Sequence, residues 1–256
     1  MMASITHHVG DYIVLQGDND SLGHGSFASV WRGRHAGTGQ HVAVKKIRLP
    51  DCTPDGLEYI RKYVDNELEA LRRIHHGNLI EMYTSKRSGQ FMYLFLELCE
   101  EGDLDHFLVK KGTISRTMTL TFMQEISDVI KCLHEQHPPL IHRDIKPDNI
   151  LVKEIAPGKY GIKLTDLGLA RRVEERDPLV SMSLCGTPLW MAPEILPNRD
   201  GKVHYNSKSD VFSMGMVFYA LINHQQGRRL QPLTGKVEIR IVFAPFSFNR
   251  LMIKIP

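Results

Sequence analysis

From Tyr12 to about Leu49 apolar and polar residues alternate between glycine-bearing turns at Gly17, Gly23, Gly25, Gly33, Gly37 and Gly39, a spacing that predicts an antiparallel sheet. The period then changes. Leu57, Ile60, Val64, Leu68, Leu71 and Ile74 recur at helical spacing through a charged stretch that His75-His76-Gly77-Asn78 stops, so one helix interrupts the strands. Strand-like runs return at Leu79–Ser85 and Gln90–Leu98, joined by a turn at Arg87-Ser88-Gly89, and Glu100-Glu101-Gly102-Asp103 breaks the pattern. A second region is predicted beyond that break. Leu120, Met123, Ile126, Ile130 and Leu133 define a helix over Thr119–His134, halted by Pro138-Pro139, and Ile150–Val152 and Gly161–Thr165 flank a Pro157-Gly158 turn as a hairpin. Asp210–Asn223 reads as a buried helix, since its apolar run Val211–Ile222 falls short of the roughly 20 residues a membrane span requires.

Composition narrows the function classes. With 256 residues and 42% hydrophobic content the chain can build a substantial core, and a net charge of +3 spread over pairs such as Lys45-Lys46 and Arg228-Arg229 does not favour nucleic acid as a partner. Cys52, Cys99, Cys132 and Cys185 form no C-x-x-C pair, and the opening residues lack the layout of a secretory signal. A reducing compartment is expected, the cytoplasm first and the nucleus as alternative, with no membrane partner.

Phosphoryl transfer requires a backbone cradle for phosphates, a cation on them, oxygen and amide ligands for magnesium, and a group that orients the acceptor hydroxyl. Each requirement has a candidate. Leu22-Gly23-His24-Gly25-Ser26-Phe27-Ala28-Ser29-Val30 places two glycines in a turn between strands, where bare backbone N–H groups are able to approach phosphate; a plain hairpin has the same pattern. Val42-Ala43-Val44-Lys45 ends an apolar strand soon after it on a lysine, and Glu67, in register with Leu71 and Ile74, is its natural partner on the following helix. The alternative reading leaves both on the solvated surface. Ile141-His142-Arg143-Asp144-Ile145-Lys146-Pro147-Asp148-Asn149 is the most specific string, followed 22 residues after Asp144 by Asp166-Leu167-Gly168 and then by Ala192-Pro193-Glu194.

These motifs, in this order, resemble the eukaryotic-type serine/threonine protein kinase family. The resemblance implies an α+β, bilobal fold: a small antiparallel sheet with one main helix over 1–97, a mostly helical lobe over 98–223, and an atypical tail over 224–256. It implies ATP and Mg2+ as cofactors and a protein serine or threonine hydroxyl as acceptor. Asp144 matches the catalytic-loop aspartate, Lys146 the lysine of serine/threonine-directed members, Asn149 and Asp166 the magnesium ligands, and Lys45 with Glu67 the phosphate-binding ion pair. Leu167 stands where the family has phenylalanine, and Ala28 where it usually has a third glycine. Leu22, Gly23, Gly25, Val30, Ala43 and Leu151 would line the nucleotide, with the backbone of Glu97 and Cys99 at the adenine edge. Met82, Leu71, Leu167 and His142 match the stacked residues that align the lobes, anchored by Asp210, which makes His142 structural. Thr187, in Gly186-Thr187-Pro188, is expected to bond towards Asp144 and Lys146. Arg143 and Arg171 form a cationic pocket for a phosphate placed by an upstream activating kinase, with Ser183 as first acceptor and Ser181 as second.

The resemblance runs from about Tyr12 to Asn223. Beyond it, the alternating Val237, Ile239, Ile241, Phe243 stretch and the apolar Phe246–Ile255 tail match no kinase helix, so the second lobe is expected to be incomplete, Glu194 to be a partly buried carboxylate lacking its usual arginine, and stability to be marginal. The alternative function is therefore a catalytically impaired pseudokinase that binds nucleotide as a regulatory scaffold. A small-molecule kinase of related fold is disfavoured by Gly186-Thr187-Pro188 and Ala192-Pro193-Glu194, which shape a groove for a protein chain.

Overall fold

A computed structural model of the chain describes residues 5–25, 28–49, 54–172, 181–182, 187–195, 203–224 and 228–232. They divide into two units, the first made of Met1–His75, Leu79–Gly102 and Asp166–Gly168, the second of His76–Asn78, Asp103–Thr165 and Leu169–Pro256. The three residues Asp166–Gly168 belong to the first unit despite their place in the chain.

The first unit is an antiparallel sheet with one helix. Strands β1 (Ile5–Val9), β2 (Tyr12–Gln16), β3 (Ser21–His24), β4 (Ala28–His35), β5 (His41–Arg48), β6 (Met82–Ser88) and β7 (Phe91–Glu97) run in the order β1-β2-β4-β5-β7-β6, with β3 paired to β4. Strand β1 precedes the expected start of the sheet at Tyr12. It pairs Val9 with Tyr12 across a two-residue turn in which Gly10 takes φ +61, the left-handed conformation glycine tolerates. Strand β6 likewise starts at Met82 and not at Leu79, because Leu79 and Ile80 are buried in the connection before it.

Alternation along these strands builds a core of Val9, Tyr12, Val14, Val42, Val44 and Phe95, with the Tyr12 ring stacked on Phe95 at 4.0 Å. Gly33 is dictated by this packing. A Cβ there would lie 2.6 Å from Val44 Cγ2 and 2.9 Å from the Ile13 carbonyl. Gly33→Ala should therefore lower the thermal midpoint, at a cost of about 1–3 kcal/mol for overpacking; an unchanged midpoint would show that the sheet yields there freely. Helix α1 (Pro54–Arg73) carries Val64, Leu68 and Leu71 on its buried face, with Ile74 just beyond its end, and Tyr63 and Glu67 lie on the same face.

In the second unit, helix α2 (Leu104–Lys111) was not indicated by hydrophobic period. At eight residues it is too short to show one, and it is set by its ends: Asp103 caps it by accepting from the His106 N–H at 2.8 Å, and Gly112 ends it at φ +75. Helix α3 (Arg116–His134), capped by Ser115, buries Phe122, Met123, Ile126, Val129, Ile130 and Leu133. Strand β8 (Leu140–Ile141) leads into the loop before β9 (Ile150–Ala156) and β10 (Lys159–Leu164), which form the expected hairpin. Strand β11 (Arg171–Arg172) pairs with β8, and β12 (Ser181–Met182) with β13 (Val203–His204). Helix α4 (Ser207–Ile222) starts three residues before the expected Asp210, because Asn206 and Ser209 form a capping box.

Beyond α4, Leu230 is buried and its N–H donates to Asp105 Oδ1 at 2.8 Å. The stretch from Val237 onward, Phe246–Ile255 included, lies outside the described residues. Glu194 corrects an expectation: it is exposed, so its charge does not bear the desolvation cost of a buried carboxylate lacking a partner. Among the described residues no helix is long and apolar enough to cross a membrane.

Candidate active site

Within the first unit β5 and α1 bring three charges together. Lys45 faces Val30 on β4 and Leu94 on β7, so its stem is held in the sheet and its ammonium reaches α1. There Nζ donates to both carboxylate oxygens of Glu67 at 2.7 and 2.8 Å and to Asp166 Oδ1 at 3.0 Å. Burial disfavours the ammonium, but the carboxylates of Glu67 and Asp166 outweigh it and hold the Lys45 pKa well above the usual lysine value. Burial pushes the Glu67 carboxyl upward, with Lys45 pulling the other way. Asp166 sits at φ +64, a backbone state that a residue with a side chain keeps only when its surroundings hold it.

Tyr63 completes this cluster and was missed in the sequence. Its hydroxyl accepts from Lys45 Nζ at 3.1 Å and donates to Asp166 Oδ1 at 2.5 Å. The signal was available, since Tyr63 lies four residues before Glu67 and therefore one helical turn away on the same face.

The glycine turn joins β3 to β4, with the Gly25 N–H donating to the Ala28 carbonyl at 2.7 Å; Ser26 and Phe27 lie outside the described residues. Among the described residues a Cβ on Gly23 would meet nothing within 4 Å, and one on Gly25 only the Ala28 carbonyl at 3.7 Å. Packing against the described residues therefore does not demand glycine at either position. Their bare backbone fits a phosphate cradle, which requires close approach from outside. Leu22 is exposed on β3, Val30 half-buried opposite Gly23, and Ala43 buried opposite Leu96. Glu97 ends β7: its N–H donates to the Glu81 carbonyl at 2.9 Å, and its buried carboxylate accepts from the Glu81 N–H at 2.9 Å. The Cys99 carbonyl accepts from the Gly102 N–H at 3.3 Å, and its thiol is buried.

In the second unit the loop between β8 and β9 gathers Asp144, Lys146 and Asn149 with Thr187. Thr187 Oγ1 donates to Asp144 Oδ1 at 2.9 Å and accepts from Lys146 Nζ at 2.7 Å, while Lys146 Nζ lies 3.0 Å from Asp144 Oδ2. Asn149 Nδ2 donates to the Asp144 carbonyl at 2.8 Å and to Oδ2 at 3.0 Å. The Asn149 amide nitrogen is thereby committed to Asp144, which leaves its oxygen as the end suited to a hard cation. Asp144 is thus a carboxylate fixed by three side chains. Leu151 is half-buried on β9, its backbone bridged to Asp103.

The loop is suspended from α4. Asp210, buried, accepts from the His142 and Arg143 N–H groups at 2.8 and 2.9 Å and pairs with His134 Nε2 at 2.8 Å. His134 was the second contributor missed. His142 is fully buried and bonds through Nε2 to the Thr165 carbonyl at 3.1 Å, a structural placement. Arg143, at φ +71, donates from Nε to the Leu169 carbonyl at 2.6 Å and lies over the Tyr205 ring at 5.3 Å. Arg171 is half-buried opposite Ile141. Ser181 lies on β12 facing His204, whereas Ser183 and Gly186 fall outside the described residues.

Comparison with known proteins places the chain in a family. Residues 17–238 match the family described as the protein kinase domain, a match that extends past Asn223. The chain belongs to that family. It is 32% identical over 242 residues to serine/threonine-protein kinase ATG1c of Arabidopsis thaliana, covering 94% of this chain and 30% of that protein. It is also 32% identical over 223 residues to serine/threonine-protein kinase ULK1 of Homo sapiens, covering 85% of this chain and 19% of that protein. The chain thus spans less than a third of the length of these two relatives.

Proposed function

We propose that the chain transfers the γ-phosphate of ATP to serine or threonine hydroxyls of protein substrates. The observation that carries this is the fixed carboxylate of Asp144, bound by Thr187, Lys146 and Asn149. An acceptor hydroxyl that donates to Asp144 is oriented for in-line attack and gives its proton to that carboxylate, while Lys146 offsets charge on the transferred group. Lys45, kept cationic by Glu67, binds phosphate oxygens from the first unit, and the open backbone at Gly23 and Gly25 receives the phosphate chain. By the same family resemblance Leu22, Val30, Ala43 and Leu151 are the residues proposed to line adenine, with the backbone of Glu97 and Cys99 at its edge. Magnesium, when bound by Asp166 and Asn149, supplies charge neutralisation on the phosphates; the half-open Asp166 carboxylate, 31% exposed, suits a cation that keeps some of its own waters.

Serine/threonine preference follows from Lys146 and Thr187 and from the similarity to relatives so named. Arg143, Arg171, Ser183 and Ser181 remain the proposed elements of control by an upstream kinase. A cytoplasmic or nuclear site fits Cys99 and Cys132, which are not joined in a disulfide.

The test is transfer of radiolabelled phosphate from magnesium-ATP to a generic basic protein by the purified chain and by Asp144→Asn. Incorporation should fall by about 10²–10⁴-fold in the variant, the range expected for losing such a group. A folded, ADP-binding wild-type chain that incorporates nothing would support the scaffold reading instead.

A further inference from the structure

Tyr63 has no task in the reading above, yet it touches both ends of the Asp166-Leu167-Gly168 turn. Its side chain is 8% exposed and sits one turn before Glu67 on α1. At one end the hydroxyl donates to Asp166 Oδ1, on the oxygen that also accepts from Lys45. At the other end the ring lies against Gly168, where a Cβ would come within 2.1 Å of ring carbon Cζ. Gly168 therefore has room only for hydrogen, and the ring in turn is wedged by the Gly168 backbone. The left-handed φ of +64 at Asp166 is held by this clasp together with Lys45.

We propose that Tyr63 is a positioning residue for the magnesium-binding aspartate, tying α1 to the Asp166–Gly168 turn and aiming the carboxylate of Asp166. The inference rests on the magnesium-nucleotide reading. Lys45 already supplies charge; the tyrosine hydroxyl adds direction, because two donors on Oδ1 restrict rotation of the carboxylate where one does not. Glu67 and Tyr63 share a helix face, so the lysine–glutamate pair and the orientation of Asp166 are set by one element.

Calorimetric titration of the purified chain with ADP, with and without magnesium, separates this role from simple packing. Tyr63→Phe keeps the ring against Gly168 and removes only the hydroxyl. We expect its magnesium-free ADP affinity to stay within about twofold of wild type, while the gain on adding magnesium falls roughly five- to tenfold, the scale of one net hydrogen bond. An unchanged magnesium-dependent gain would reduce Tyr63 to a space-filling role, and an increased gain would make its hydroxyl a competitor of the metal; either overturns the inference. A Tyr63→Phe chain that does not fold would make the hydroxyl a stability element and overturn it too. A wild-type chain showing no magnesium-dependent ADP binding would instead overturn the nucleotide reading itself.

Discussion

Asp210→Ala should destabilise the second unit by about 3–5 kcal/mol and abolish most phosphoryl transfer. The carboxylate is 1% exposed and satisfies two backbone donors, the N–H groups of His142 and Arg143, along with His134 Nε2. Truncation leaves those donors buried and unpaired, at about 1–3 kcal/mol each. The loss does not stay local. Arg143 sits at φ +71 beside Asp144, and the bond to Asp210 helps keep that conformation in place. Once released, the backbone is free to relax to an ordinary conformation and carry Asp144 away from Thr187 and Lys146. A displacement of about 1 Å at a reacting group costs on the order of 10²-fold in rate. Chemical denaturation and the phosphate-transfer assay read the two effects separately. Full activity with a lowered midpoint would show that the loop is held by other contacts and that Asp210 serves stability alone.

The elements that the sequence made legible are those whose signal is repeated along the chain. Strands β2 to β5 declare themselves by alternation between glycine turns, β6 and β7 by strand-like runs about one turn, α1 and α3 by an apolar stripe long enough to count, and α4 by a continuous apolar run. Where few residues carry the signal, the pattern is mute: β1 reads Ile5-Thr6-His7-His8-Val9, apolar only at its ends, and α2 has eight residues, so neither shows a period, although the caps at Asp103 and Gly112 were there to be read.

The site residues were legible for a different reason. Asp144, Lys146, Asn149 and Asp166 stand in strings whose order and spacing together resemble the kinase family, and that joint resemblance marked them as candidates. Tyr63 and His134 do not stand out, because tyrosine and histidine on a buried helix face are ordinary core residues until the fold shows what they touch. Glu194 failed in the opposite sense: partial burial without its usual arginine was inferred for it by resemblance, and its exposure removes the cost expected of that.

Lys45→Met should lower stability by about 3–5 kcal/mol, the penalty for removing one partner of a buried ion pair. Two carboxylates depend on this cation: Glu67, whose side chain is 1% exposed, and Asp166, 31% exposed and so partly relieved by water. For a chain of this size the loss corresponds to roughly 6–20 °C in thermal midpoint. Its pH dependence has a definite sign. Burial and the Asp166 carboxylate already raise the Glu67 pKa from its ordinary 4.5, and the variant removes the opposing pull of Lys45. A carboxyl whose pKa is higher folded than unfolded holds more protons in the folded state, so stability falls as pH rises from that value upward. The deficit of Lys45→Met against wild type should therefore be largest near neutral pH and shrink as pH falls towards about 5. Lys45→Arg, which keeps the charge but not the compact ammonium, should regain much of the stability and little of the phosphoryl transfer. Equal midpoints for the two variants at neutral pH would mean that the lysine stem, and not its charge, is what the fold requires.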